Sequence, residues 1–206
     1  MTDTTLAYYT ACWKDLVRRY ESADVTELQA FLAASFPPGA SLLELGCGSG
    51  RDAAFMLASG FDVTASDAVQ EMIDAAAACH AALAGRLCRL CLPRDLTPSL
   101  GPFDGVYAVA TLMHLTRPDI EDVFSRIRHI LVPEGRLFFS VPMQRDDVQA
   151  DECDAKGRRF TAMTRTAWTG LCRDSGFDII TCTVSSDGLG RESFTWLNCL
   201  AVTRRK

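Results

Sequence analysis

Residues 41–53 pass from an apolar run into alternating glycines: Ser-Leu-Leu-Glu-Leu-Gly46-Cys-Gly48-Ser-Gly50-Arg-Asp-Ala. Leu42, Leu43 and Leu45 make the run of a strand buried on both faces of a parallel sheet, where continuous apolar residues replace alternation. The glycines let the backbone turn sharply and approach a ligand with no Cβ in the way. Arg51 to Ser59 then carries apolar residues at helical spacing and stops at Gly60. The turn therefore delivers a ligand to a helix N-terminus, where unpaired backbone N–H groups are available. Strand, glycine turn and helix in this order make a nucleotide-cradling turn.

The rest of the chain is read around that unit. Two helices precede it, at about 5–21 and from Asp24 to about Phe36, the second with Glu27 three places after Asp24 as in a capping box. Pro37-Pro-Gly39 ends them. A strand at 61–66 ends on Asp67, and a helix follows from Val69 to about Ala84. Strands are expected near 86–92, 103–110 and 136–141, with a helix opened by Pro118 and stopped near Leu131 by Val132-Pro-Glu-Gly135. This alternation predicts a parallel sheet covered on both faces. Residues 143–159 are polar without periodicity, as in a long loop or lid. A helix at 164–175 and β-rich stretches at 177–184 and 194–203 complete the chain. The connection at 185–190 is too short for a parallel crossover, so the last two strands are antiparallel neighbours. The expected fold class is α/β, a doubly wound, mostly parallel sheet with an antiparallel C-terminal strand.

Composition sets bounds on function. A chain of 206 residues with 48% hydrophobic content builds one sizeable core, so a single domain over 1–206 is expected, divided into a helical cover (1–36), a ligand-binding half (37–142) and a C-terminal part (143–206). The net charge of −5 provides no global basic field for a polyanion, which argues against nucleic acid as partner. No apolar run approaches the ~20 residues of a membrane span, and the N-terminus lacks a basic segment followed by an apolar stretch, so a cytoplasmic protein is expected. The nine cysteines are read as reduced and mostly buried. Cys88-Arg-Leu-Cys91 has no second pair, so no metal site is assigned to it. Oligomeric state is not readable.

Two cofactors fit the turn. Gly48-Ser-Gly50-Arg-Asp-Ala53 has the G-x-G-x-x-A form of a dinucleotide site, as in an NAD(P)-dependent oxidoreductase. Glu44-Leu-Gly46-Cys47-Gly48-Ser-Gly50, with an acid at the strand end and an additional glycine, resembles the first motif of class I S-adenosylmethionine-dependent methyltransferases. The antiparallel ending and the absence of a Tyr-x-x-x-Lys pair favour the second. Tyr8-Tyr9, the His114 segment, Gly157-Arg-Arg-Phe-Thr161 and Trp196-Leu-Asn198 are further similar to a bacterial small-molecule subgroup near the tellurite-resistance type. The resemblance implies a Rossmann-like seven-stranded fold, S-adenosylmethionine as cofactor with S-adenosylhomocysteine as product, and methyl transfer to a small-molecule acceptor. A cofactor-binding module without catalysis is the remaining alternative.

Site residues follow from position and from the resemblance. Asp67, about 20 residues after the glycine turn, either accepts from ribose hydroxyls or caps the helix at Val69. Arg51 at a helix start is electrostatically misplaced unless an anion is near, and it pairs with the methionine carboxylate or is solvated. The resemblance implies that Asp95, otherwise a surface-loop acid, accepts from the adenine amino group and that the Leu96 backbone amide reaches the ring, that Ala68 and Met72 lie along its face, Met72 being nearly as much at home in the core, and that Ala110 and the following residues flank the transferable methyl. His114 is the general-base candidate or a packed histidine. The N-terminal helices act as a cover in the family, which brings Tyr8 or Tyr9 to the methyl unless they are core aromatics. Arg158, Arg159 and Trp196 shape the acceptor pocket, the arginines favouring an anionic acceptor.

Overall fold

The computed structural model describes residues 2–143, 148–149, 151–187, 191 and 194–204. Strands β1 (Ser41–Leu45), β2 (Asp62–Asp67), β3 (Leu87–Arg89), β4 (Phe103–Val109), β5 (Leu131–Pro142), β6 (Phe177–Ser186) and β7 (Thr195–Thr203) form one seven-stranded sheet in the order β3-β2-β1-β4-β5-β7-β6. The first five run parallel, while β7 lies antiparallel between β5 and β6. The expected mostly parallel sheet with an antiparallel ending is what forms. Strand order reverses between β1 and its neighbours β2 and β4, and the crevice at such a switch point is where open α/β sheets bind ligands.

The apolar run of β1 feeds both faces. Leu43 and Leu45 pack with Ile120, Val123 and Phe124 of α5 (Arg117–Ile130) and Trp168 of α6 (Arg165–Asp174). Leu42 packs on the other face with Leu32 of α2 (Thr26–Ala34) and Met56 of α3 (Arg51–Ala58). A third cluster joins Leu16 and Val17 of α1 (Asp3–Glu21) to Met72 and Ala75 of α4 (Gln70–Cys79), so the N-terminal helix rests on the helix that follows β2. In α5 the apolar residues Ile120, Val123, Phe124, Ile127 and Ile130 recur at helical spacing, and the Thr116 hydroxyl accepts from the Asp119 N–H to cap its start.

Four expectations shift. β5 begins at Leu131, directly after α5, because Phe103 pairs with Leu131 and Gly105 next pairs with Arg136. The expected stop at 132–135 is thus a bulge inside the strand, with Glu134 at φ 62°. β3 keeps only three residues of the expected seven, since it is an edge strand with β2 as its sole partner. Asp24 accepts from the N–H and hydroxyl of Thr26 at 3.2 and 2.9 Å, one step short of a capping box, and Val25 takes the N-cap place. The expected loop at 143–159 is docked where it is described. Asp154 receives N–H bonds from Lys156 and Arg158, and Thr161 bonds the Met113 and Leu115 carbonyls at 2.8 and 2.6 Å. The expected connection at 185–190 lies in part outside the described residues.

Glu44 sits on the Leu42 face of β1 at 2% exposure and accepts from the Tyr107 hydroxyl at 3.3 Å. Burial, with the nearby Asp52 charge adding, holds its carboxyl well above the usual range despite that bond. A carboxyl whose pKa is raised by folding contributes stability below its unfolded pKa of about 4.3 and loses that contribution as pH rises through the folded value. Glu44→Gln keeps an acceptor for Tyr107 and removes the charge. Urea unfolding should find this variant more stable than wild type at about pH 8, with the gap closing toward about pH 4.5.

Candidate active site

The turn after β1 is held by residues at the end of β2. Gly46 and Cys47 both donate N–H bonds to the Ser66 carbonyl at 2.8 Å, and the Ser66 hydroxyl donates to the Glu44 carbonyl at 2.7 Å. The Asp67 carboxylate then accepts from the Gly48 N–H at 3.0 Å and from the Val69 N–H at 3.0 Å. One oxygen thus bonds the residue just before α4, which has no side-chain cap of its own, and the other bonds the glycine turn. Burial pushes the Asp67 carboxyl up, while the Val69 and Gly48 amides pull it down. Gly46 lies at φ 77°, and a Cβ there would sit 2.2 Å from the Thr111 hydroxyl. A Cβ on Gly48, at φ 55°, would stand 3.2 Å from the Tyr20 ring, so α1 covers the turn closely.

Arg51 fastens that cover. Its guanidinium makes two bonds to Asp52, at 3.0 and 2.9 Å, and a third at 2.7 Å to the carbonyl of Tyr20 near the end of α1. Gln29 of α2 donates to the same Asp52 at 3.0 Å. The apparent misfit of an arginine at a helix start is thus answered within the protein by the adjacent carboxylate.

A cavity of about 1010 Å³ lies over these groups. Glu44, Gly46, Cys47, Gly48, Arg51, Asp67, Ala68, Met72, Ala110, Tyr9 and His114 all line it, so eleven of the fourteen residues expected to hold the cofactor or act in catalysis come together, and of the three expected to shape the acceptor pocket Arg158 and Trp196 join them while the Arg159 side chain does not. Val69, Met72, Leu90 and Leu92 are among the cavity's apolar lining residues. Ala110, at φ 54° beyond the end of β4, is a non-glycine residue in the left-handed region at the cavity wall, strain of the kind found at functional sites. The Cys47 thiol is pushed well up by burial, with Glu44 adding, which holds it in its protonated form.

Three of the fourteen lie outside the lining. β3 ends at Arg89, and the chain turns back on itself through the Asp95 N–H bond to the Cys91 carbonyl. The Asp95 carboxylate closes that turn, bonding Arg94 at 2.7 Å and the Cys91 N–H at 2.9 Å, and Arg94 draws it down to about 2. Leu96 is fully buried in the core on the α5 face. Tyr8, next to Tyr9 on α1 but rotated around the helix, lies beneath the Arg158 guanidinium at 4.8 Å from the ring centre.

Tyr9 and His114 are in contact. The Tyr9 hydroxyl lies 2.8 Å from His114 Nε2, and His114 Nδ1 lies 2.7 Å from the Arg159 carbonyl. A carbonyl only accepts, so Nδ1 carries the proton and Nε2 accepts from the phenol. Arg159 in turn donates its backbone N–H to the Thr5 hydroxyl at 2.9 Å, which ties the docked loop to α1. Burial raises the Tyr9 pKa against the Arg158 charge, which holds the phenol in its protonated form. Arg158 lines the cavity and is held by Asp154 at 2.8 and 2.5 Å. Arg159 reaches the site through its carbonyl alone. Ser66, Tyr20 and Ser140, the last two of which line the cavity, were not singled out in the sequence, whereas Asp52 was placed with Arg51 beside the cofactor by the resemblance. Ser66 carries a faint signal, the residue before a strand-end acid, and Tyr20 carries none.

Among the described residues no helix is long and apolar enough to cross a membrane, and no group of His, Cys, Asp and Glu is arranged to hold a metal ion. Residues 17–182 match the methyltransferase domain family. YqeM of Bacillus subtilis (strain 168), described as a methyltransferase, is 29% identical over 113 residues, 54% of this chain and 46% of that protein, so the match spans about half of that relative's length. The 1,6-didemethyltoxoflavin-N1-methyltransferase of Burkholderia thailandensis, solved with 1,6-didemethyltoxoflavin and S-adenosylhomocysteine, has a similar fold, with a TM-score of 0.80 at 21% identity over 98% of this chain and 88% of that one. The magnesium protoporphyrin IX methyltransferase of Synechocystis PCC 6803, solved with S-adenosylhomocysteine, gives a TM-score of 0.74 at 18% identity over 97% of this chain and 98% of that one. With its glycine turn, switch-point crevice and antiparallel seventh strand, the chain belongs to the methyltransferase domain family.

Proposed function

We propose that the chain is an S-adenosylmethionine-dependent methyltransferase acting on a small-molecule acceptor. The observation that carries this reading is one cavity with Asp67 and the glycine turn among its walls and the Tyr9–His114 pair as well. Its volume of about 1010 Å³ stands at the top of the ~300–1,000 Å³ range of small-molecule sites, which suits a cofactor and an acceptor together. The residues fit the cofactor. Asp67 already accepts two backbone N–H bonds and, as a carboxylate, retains lone pairs for a pair of ribose hydroxyls. Met72, Val69, Leu90 and Leu92 give a flat base an apolar slot. Arg51 spends three bonds on protein partners and keeps N–H donors for a carboxylate. The solved relatives that bind S-adenosylhomocysteine support the same cofactor. An oxidoreductase reading finds no support in the family match.

When bound, S-adenosylmethionine supplies a methyl group on a sulfonium sulfur that a nucleophile displaces in line. The protein's part is alignment, exclusion of water and management of one proton. Alignment and desolvation come from the helical cover, which Arg51 and Gln29 hold over the turn. The proton has a path: an acceptor O–H or N–H passes its proton to the Tyr9 oxygen as the Tyr9 proton moves to His114 Nε2. The Arg159 carbonyl, bonded to Nδ1–H, stabilises the imidazolium that forms.

Asp67→Ala removes the clamp on the turn and the proposed ribose acceptor. It should weaken S-adenosylhomocysteine binding by about 100-fold or more by calorimetry, and an unchanged affinity would sink the cofactor assignment. Tyr9→Phe keeps the ring against His114 and deletes the proton. Turnover followed by S-adenosylhomocysteine release should fall by about 100-fold with cofactor affinity preserved, and undiminished turnover would remove Tyr9 from the proton path. A variant screen in which cofactor binds but no acceptor pool ever yields product would favour the non-catalytic module instead.

A further inference from the structure

The cavity extends beyond the glycine turn to a second wall made by β6 and β7, where Thr183, Ser185, Trp196 and Asn198 face it. Asn198 stands in register with Ser140 on β5 and Thr183 on β6, and its neighbours Leu197 and Cys199 point into the opposite core. The side chain is only 4% exposed. Its Nδ2 donates to the Ser185 hydroxyl at 2.8 Å, while Oδ1, equally buried, has no hydrogen-bond partner among the described residues. A buried acceptor without a donor is costly, and cores seldom retain one without a use for it.

The charges beside it are already matched. Arg158 is held by Asp154, and Arg191 makes a two-toothed pair with Asp187, which also receives the Trp196 indole N–H at 2.9 Å. Arg19, which also lines the cavity, is exposed on α1. Arg158, Arg159 and Arg191, each paired with a carboxylate, therefore do not demand an anionic acceptor, in contrast to the expectation from the sequence. A carboxylate placed at Asn198 would set oxygen against oxygen. Phe160, 3% exposed and edge-on to His114, and Trp196 line the same space and suit a ring.

We infer that Asn198 is the specificity-determining residue of the acceptor subsite, with Oδ1 accepting a hydrogen bond from an N–H or O–H of a neutral, ring-bearing acceptor. The inference rests on the methyl-transfer reading for the word acceptor, and on the orphaned oxygen for the chemistry. A site built around such a bond rejects analogues that lack the donor, because its own polar atom is then left unpaired.

The test uses matched probes on the full chain saturated with S-adenosylhomocysteine: indole against 1-methylindole, 8-hydroxyquinoline against 8-methoxyquinoline, and quinoline-2-carboxylate as the anion. Dissociation constants are measured for wild type, Asn198→Leu and Asn198→Asp. Wild type should favour at least one donor-bearing member over its methylated partner by about tenfold or more and should bind the carboxylate worst. Asn198→Leu should erase that preference with unchanged S-adenosylhomocysteine affinity and a melting temperature no lower than wild type, and Asn198→Asp, which keeps an oxygen acceptor, should retain it. Equal behaviour within both pairs, including no binding by either member, a preference for the carboxylate, or a preference that survives in Asn198→Leu would each overturn the assignment. Failure of wild type to bind S-adenosylhomocysteine would instead overturn the methyl-transfer reading, and the same pairs run on the free protein would still decide Asn198.

Discussion

The Asp67 carboxylate accepts one backbone N–H from the glycine turn and another from the start of α4, and the site is organised around those two bonds. Neither segment could hold its shape alone. The turn runs through left-handed glycines that lose much conformational freedom on folding, and α4 begins without a side-chain cap of the usual kind. One anion at the end of β2 answers both needs and still faces the cavity. That economy has a cost in solvation, visible in the upward push on the Asp67 carboxyl.

Much of this was legible in the sequence, for reasons that can be named. A continuous apolar strand, alternate glycines and an acid some 20 residues later are local or regularly spaced features, and backbone geometry leaves them few alternatives. The antiparallel ending was legible because a short connection cannot make a parallel crossover. What escaped depends on phase and on side-chain choice. Spacing alone does not say how α1 is rotated, so Tyr8 and Tyr9 were equivalent until packing turned Tyr9 to His114 and Tyr8 under Arg158. Asp95 looked like a strand-end acid, yet the strand ended six residues earlier and the carboxylate closed its own turn. The role of Arg159 lies in a carbonyl, which no side-chain reading predicts.

The Tyr9–His114 pair links regions distant in sequence. Its imidazole is oriented by the carbonyl of Arg159, whose N–H bonds Thr5, one helical turn before Tyr9 on α1. The phenol, the base and the group that sets the base's tautomer thus belong to one closed loop of bonds through α1, the segment after β4 and the docked loop. Displacing α1 would open the cavity and break the pair together. In the proposed mechanism, covering the cofactor and assembling the proton path are therefore one event, and the chemistry depends on closure without a separate catalytic loop.

Three groups around the cavity stand at odds with a core optimised for stability: Glu44 and Asp67, carboxyls raised by burial, and Asn198, with an unpaired acceptor. Each lies at the carboxyl end of a strand or on the wall beside it, whereas the faces below are filled by well-packed apolar clusters such as Phe124, Phe139 and Trp168. The separation is physical. Aromatic and aliphatic packing stabilises the sheet where no ligand reaches, and that surplus allows polar groups with unsatisfied capacity to persist at the crevice. Those unsatisfied capacities differ in kind, an anion at the glycine turn and a neutral amide oxygen on the β7 wall. The lining of the cavity thereby combines two chemically distinct polar groups, and in the proposed reading the first serves the cofactor and the second the acceptor, with the Tyr9–His114 pair in the same lining.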